Sequence, residues 1–144
     1  MNQFWRIAPW LTRVLLLVPA ALFGFLGWRY MSQPITTAAI DRIALGSGAA
    51  VTDMRVVGAL FAACGLITIY LLSTKRLLAG MGFVVTVIGV VTAARAFGLW
   101  TDGPAPGTVS KLTTETVLLA VFLVGGALEL ARHRHEQHGV TRAS

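Results

Sequence analysis

The chain has 144 residues, of which 56% are hydrophobic and only 12% charged, and its formal net charge is +6. That length fits one domain, but a soluble globule of this size needs far more polar surface, so lipid is the expected solvent for most of the chain. The basic residues flank apolar runs and form no basic face interleaved with aromatics, so nucleic acid is not an expected partner.

The first apolar run covers residues 10–30, and its uncharged interior, 14–28, is 15 residues long. It reaches spanning length once Arg13 and Arg29 extend toward the headgroups. A signal peptide is the rival reading, since Arg6 and Arg13 give a basic start. The run is long, however, ends in Trp28-Arg29-Tyr30, and has no convincing small-x-small cleavage site directly after it. Pro19 lies inside it, a place for a kink that lipid-embedded helices tolerate.

Residues 32–53 form a 22-residue connector, long for a turn between packed helices. After Pro34, the residues Ile35, Ala39, Ile40, Ile43 and Ala44 share one face at helical spacing, with Asp41 and Arg42 elsewhere. A short helix lying in the membrane interface fits that pattern. An irregular loop fits it equally, because Gly46-Ser47-Gly48 soon breaks it.

The second span is expected over residues 54–73, where 56–73 is a run of 18 residues without a charge. Thr52 or Asp53 would cap it, and the helix dipole favours an acid there. Gly58, Ala59, Ala62, Ala63 and Gly65 recur at spacings of three and four, the pattern that lets another helix come close. Lys75-Arg76 makes a short turn that sends the third span, 77–99, back antiparallel. That span is uncharged until Arg95, and Gly89 with Ala93 repeats the small-residue spacing. The stretch 101–107, Thr-Asp-Gly-Pro-Ala-Pro-Gly, is dense in turn formers and is expected to interrupt the helix. A fourth span, 113–131, is bounded by Glu115 and Glu129, and a tail with His133, His135 and His138 returns to water.

Lysine and arginine counts give the orientation. Seven of the twelve lie at the N-terminus, the Lys75-Arg76 turn and the tail, all on one side of a four-span arrangement; only Arg42 and Lys111 occupy loops on the other side. Together these features predict an all-α, integral membrane four-helix bundle, up-down-up-down, with both termini cytoplasmic. Its expected location is the inner (plasma) membrane, as a multi-pass protein.

The few charges inside this frame define the candidate site. Arg29, Asp53, Arg55, Arg95 and Glu115 all fall at matching ends of the spans, so the sequence predicts one outward polar layer. Each helical hairpin has an arginine near the end of its first helix (Arg29, Arg95) and an acid near the start of its second (Asp53, Glu115), a weak two-fold repeat. Such groups at membrane depth pair or line a cavity, so the layer serves as an interhelical ion-pair staple, as a ligand pocket, or as both.

Other chemistries lack their residues. Cys64 is the only cysteine, so no internal disulfide or thiolate metal cluster forms. All three histidines sit in the tail, which leaves none for haem or copper inside the membrane; no cofactor and no metal is expected. There is no glycine-rich phosphate loop, nucleophile elbow or His-Glu-x-x-His. Trp5, Trp10, Trp28, Tyr30 and Trp100 read as an interfacial belt. A channel would need a polar stripe along the helices, and none is present.

With Asp53-x-Arg55, Arg95, the Asp102-Gly103-Pro104 turn and Glu115, the chain resembles a family of small bacterial four-helix membrane proteins of unknown function over residues 10–131. In that family the second helix opens on an Asn-Asp-x-Arg-like motif, and the third ends in an arginine before an Asp-Gly turn and an acid-led fourth helix. Here Thr52 replaces the asparagine, and Val56-Val57-Gly58 replaces a small aromatic cluster. The resemblance implies the same four-helix architecture in a bacterial inner membrane and the same polar residues, and implies no activity.

Three functional readings follow. The first is a membrane protein whose polar layer fastens the helices and binds a lipid headgroup or small amphiphile. The second is an accessory subunit or homo-oligomer that uses the Gly/Ala faces of the second and third spans against another membrane protein. The third, a lipid- or isoprenoid-modifying enzyme using Asp53 or Glu115 as general acid or base, has no motif behind it, so no catalytic residue is assigned.

Overall fold

Five helices carry nearly all of the described residues: α1, Gln3–Ser32; α2, Pro34–Ile40; α3, Gly48–Ser73; α4, Leu77–Asp102; and α5, Thr108–Thr141. A computed structural model describes residues 3–41, 43–104 and 107–141, with side chains described over 9–41, 43–104 and 107–135. There is no strand among the described residues. Arg42, Ala105 and Pro106, and the side chains of Trp5, Arg6 and His138, lie outside them. Four helices are long and apolar enough to cross a membrane: Pro9–Ser32, Gly48–Ser73, Leu77–Asp102 and Thr108–His135, of 24, 26, 26 and 28 residues. At 1.5 Å per residue each exceeds the roughly 30 Å hydrocarbon core of a bilayer.

The helix ends correct the expected boundaries. α3 begins at Gly48, not Met54, and Ser47 caps it, not Thr52 or Asp53: the Ser47 backbone is extended and its Oγ accepts from the Ala50 N–H at 3.3 Å. Thr52 lies inside the first turns, where its hydroxyl donates to the Gly48 carbonyl. α4 continues through Thr101 to Asp102, and Gly103, at φ 79°, stops it ahead of Pro104. α5 starts at Thr108, straight after Gly107 at φ 83°, and runs past residue 131 to Thr141. The physical reason is common to all: charge marks where the apolar run ends, but the backbone ladder continues through polar turns until a glycine, proline or capping serine stops it.

The connector after α1 is short for a related reason. Gln33 precedes a proline and leaves helical geometry (φ −132°, ψ 57°), and Pro34 then opens α2, where its missing N–H is no loss. In α2, Pro34, Thr37 and Ala38 are buried, while Ile35, Ala39 and Ile40 are exposed, as are Ile43 and Ala44 beyond it. The apolar stripe read from the sequence faces away from the protein. α1 itself passes through Pro19 as one helix.

The chain divides into two units, one formed by residues Leu16–Thr74 and the other by the chain up to Leu15 together with the part from Lys75 onward. In the Leu16–Thr74 unit, α1 and α3 are antiparallel and almost touch at their backbones. A Cβ on Gly27 would lie 2.7 Å from the Ala62 nitrogen, and one on Gly58 would lie 2.8 Å from the Met31 nitrogen. At Gly65 it would stand 3.1 Å from the Gly24 nitrogen. Of the small residues on α3, Gly58, Ala62 and Gly65 therefore form the packing face, whereas Ala59 and Ala63 are exposed. Phe61 stacks with Phe23 (6.2 Å between centroids) and with Tyr30 (5.9 Å) beside this seam.

In the other unit α4 packs on α5 in antiparallel register, with Arg95 against Glu115, Gly89 near Leu119 and Met81 over Gly125. Leu77, Met81, Val84 and Ile88 make the buried stripe of α4, and Phe122 is buried on α5. Gly89 is no point of backbone contact, since a Cβ there would meet only the Leu119 methyl at 3.9 Å, and Ala93 is exposed. A close approach is at Gly125, where a Cβ would lie 2.8 Å from Met81 Cε and 2.9 Å from Leu15 Cδ1. Between α3 and α4, Lys75 adopts φ 59°, the left-handed region that glycine fills most easily.

Candidate functional site

Arg95 and Glu115 meet across the α4–α5 seam. The Arg95 Nε donates to Glu115 Oε2 and its Nη2 to Oε1, both at 2.8 Å, a two-pronged fork on one carboxylate. Both side chains are partly buried, at 29% and 19% exposure. Charge-assisted bonds in this side-on geometry are the strong kind, and the guanidinium plane matches the carboxylate plane. Glu115 lies two turns inside α5, so the acid that leads the fourth apolar run does not cap its helix.

Arg29, Asp53 and Arg55 belong to the Leu16–Thr74 unit and gather at one end of it, because the antiparallel seam sets Gly58 against Tyr30 and Met31. None of the three makes an ion pair among the described residues. The Arg29 guanidinium lies over the Phe25 ring at 5.6 Å, a cation–π contact, and its backbone carbonyl accepts from the Gln33 N–H and the Thr37 hydroxyl. Asp53 and Arg55 are exposed on either side of buried Met54. The carboxylate that is engaged at this end is Asp41, which accepts from the Tyr30 hydroxyl. Of the five residues read from the sequence, the structure joins Arg95 to Glu115, leaves Asp53 and Arg55 exposed on α3, and holds Arg29 half-buried against Phe25 on α1.

A further buried carboxylate escaped the sequence reading. Glu129, which bounds the fourth run, is only 2% exposed. It accepts from the Thr12 hydroxyl at 3.0 Å and pairs with Arg132 one turn further along α5. Glu115, Leu118, Phe122, Gly125, Glu129 and Arg132 follow each other at steps of three and four, so they share one face of α5. Fourteen residues separate the two acids, about 21 Å along the helix. Two ion pairs thus bracket an apolar length in this unit. The signal was Thr12, a hydroxyl inside an apolar run, together with an acid at a spacing that returns to the Glu115 face.

A scan against protein-family models gives no match, and searches of the curated proteins and of the solved structures give none either.

Proposed function

We propose that the chain is a multi-pass protein of a bacterial inner membrane, up-down-up-down with both termini cytoplasmic, whose outward ends fasten the helices and hold the headgroup of a lipid or other amphiphile. The observation that carries this is a contrast between arginines. Arg95 commits its fork to Glu115, whereas Arg29 and Arg55 have no carboxylate partner among the described residues. An arginine at the rim of a spanning segment extends to the headgroups and takes phosphate or carbonyl oxygens there. The exposed large apolar side chains on all four long helices, among them Leu17, Leu66, Val90 and Val124, support lipid as the surrounding solvent. The exposed Ile35, Ile40 and Ile43 support α2 as an element resting in the interface.

Mass spectrometry of the protein extracted with its native lipids tests the reading. A lipid or amphiphile retained by the native chain should be lost on Arg55→Ala, with the fold intact. Retention of the same species by Arg55→Ala and Arg29→Ala alike would refute headgroup binding at these residues.

The accessory-subunit reading draws on α4. Ala79, Gly82, Thr86 and Ala93 are exposed there, and nothing lies within 4 Å of a Cβ built on Gly82. Small residues on an outer face let a second membrane helix approach closely. A partner or second copy retained after mild detergent extraction, and released by Gly82→Leu, would favour this reading.

A further inference from the structure

We infer that the first turns of α5 carry a selective seat for a phospholipid headgroup that donates hydrogen bonds. The inference rests on the membrane-spanning reading above but uses none of its arginines. An open groove of about 470 Å³ runs along α5, lined by Ser110, Thr113, Thr114, Val117 and Leu118.

Its polarity changes along the helix. The spanning segment that holds it, Thr108–His135, has 28 residues, so it is about 42 Å long at 1.5 Å per residue and overreaches a core of about 30 Å by roughly four residues at each end. Ser110 then lies among headgroups, Thr113 and Thr114 at the boundary, and Val117 and Leu118 against the first methylenes of an acyl chain. Water-like chemistry at one end and hydrocarbon at the other match a lipid lying parallel to the helix.

The hydroxyl geometry sets the selectivity. Thr113 donates its hydrogen to the Val109 carbonyl at 2.9 Å, and Thr114 donates to the Ser110 carbonyl at 3.0 Å. Each threonine has spent its only donor, so what it shows to the groove is an oxygen that accepts. A headgroup bearing N–H or O–H donors, the ammonium of ethanolamine or the hydroxyls of glycerol, meets those oxygens. A choline headgroup carries no such donor. Ser110 makes no side-chain hydrogen bond among the described residues, so the phosphate common to these lipids has a hydroxyl donor to meet.

The test reconstitutes the full chain into vesicles containing equal parts phosphatidylethanolamine, phosphatidylglycerol and phosphatidylcholine, then extracts it gently and weighs the lipids that stay bound. Ethanolamine and glycerol lipids should be enriched over choline lipid by roughly threefold to tenfold, the scale of one net hydrogen bond. The double variant Thr113→Val/Thr114→Val should lose that enrichment, and Thr113→Ser/Thr114→Ser should keep it. Binary vesicles, each containing choline lipid and one of the other two, separate the ammonium from the hydroxyl source. Equal binding of all three lipids, or enrichment unchanged in the valine variant, overturns the inference. Failure of the native chain to resist alkaline extraction from the vesicles would overturn the membrane reading itself, an outcome distinct from insertion without selectivity.

Discussion

Two ion pairs draw on the ionic groups of the long helices. Arg95–Glu115 and Glu129–Arg132 use theirs within the α4–α5 unit, and there the partners matter more than the net charge. Removing one partner leaves the other charge half desolvated, so Arg95→Met or Glu115→Gln should each destabilise the protein by about 1–3 kcal/mol in detergent. The double variant Arg95→Met/Glu115→Leu should lose less than the sum of the two singles, and thermal unfolding of all three measures the coupling. At the other bracket, Glu129→Ala should cost about 2–4 kcal/mol, because Thr12 and Arg132 each lose an acceptor, while Glu129→Gln keeps one acceptor oxygen and should cost less. Arg95 and Glu115 were legible because each is a lone charge at the edge of an apolar run. Glu129 adjoins the charged tail in the sequence, and its position on the Glu115 face, with Thr12 as a hydroxyl inside an apolar run, is what marks it as inward.

The same separation of signals explains the elements. Hydropathy located four apolar lengths correctly, because lipid or protein must cover such residues. It could not place the helix ends, since backbone hydrogen bonding does not stop where hydrocarbon does. Ser47, Gly103 and Gly107 stop it, and all three were visible as turn or capping residues. Small-residue spacing was similarly half informative. It occurs on α3 and α4 alike, but of the small residues picked out by spacing Gly58, Ala62 and Gly65 meet another backbone while Ala59, Ala63, Gly89 and Ala93 do not, because a helix has several faces and spacing alone does not choose among them. This choice is testable. Gly27→Ala and Gly58→Ala, each pushing a methyl into backbone, should lower stability by about 1–3 kcal/mol or more, whereas Gly82→Ala, with open space around it, should be neutral or slightly stabilising. Gly125→Ala should fall between, because the atoms in its way are the ends of Met81 and Leu15, which can turn aside. Unfolding midpoints of the four variants in one detergent give the ranking.

For the whole molecule, composition points to lipid as the solvent and is silent on the use. The expected single layer of five ionic groups was a statement about height, and height comes from counting residues along spans. Which group touches which depends on rotation about each helix axis, and that is why Arg29 rests on Phe25 while Arg95 reaches Glu115. In the proposed orientation, a cysteine introduced at Thr101 in a Cys64→Ser background should react with a membrane-impermeant maleimide in intact cells, and one at Arg76 should react only after the membrane is opened. The reverse pattern would invert the topology.

Lys75 is where two demands on the chain disagree. Its left-handed backbone would relax with glycine, by about 1 kcal/mol, yet in the proposed orientation its ammonium is among the few cations that tell the insertion machinery which loop to keep inside. Lys75→Gly should therefore raise the unfolding midpoint of the correctly inserted protein while increasing the share that inserts upside down. In that orientation the turn carries an address as well as a bend, and one atom group cannot be optimal for both.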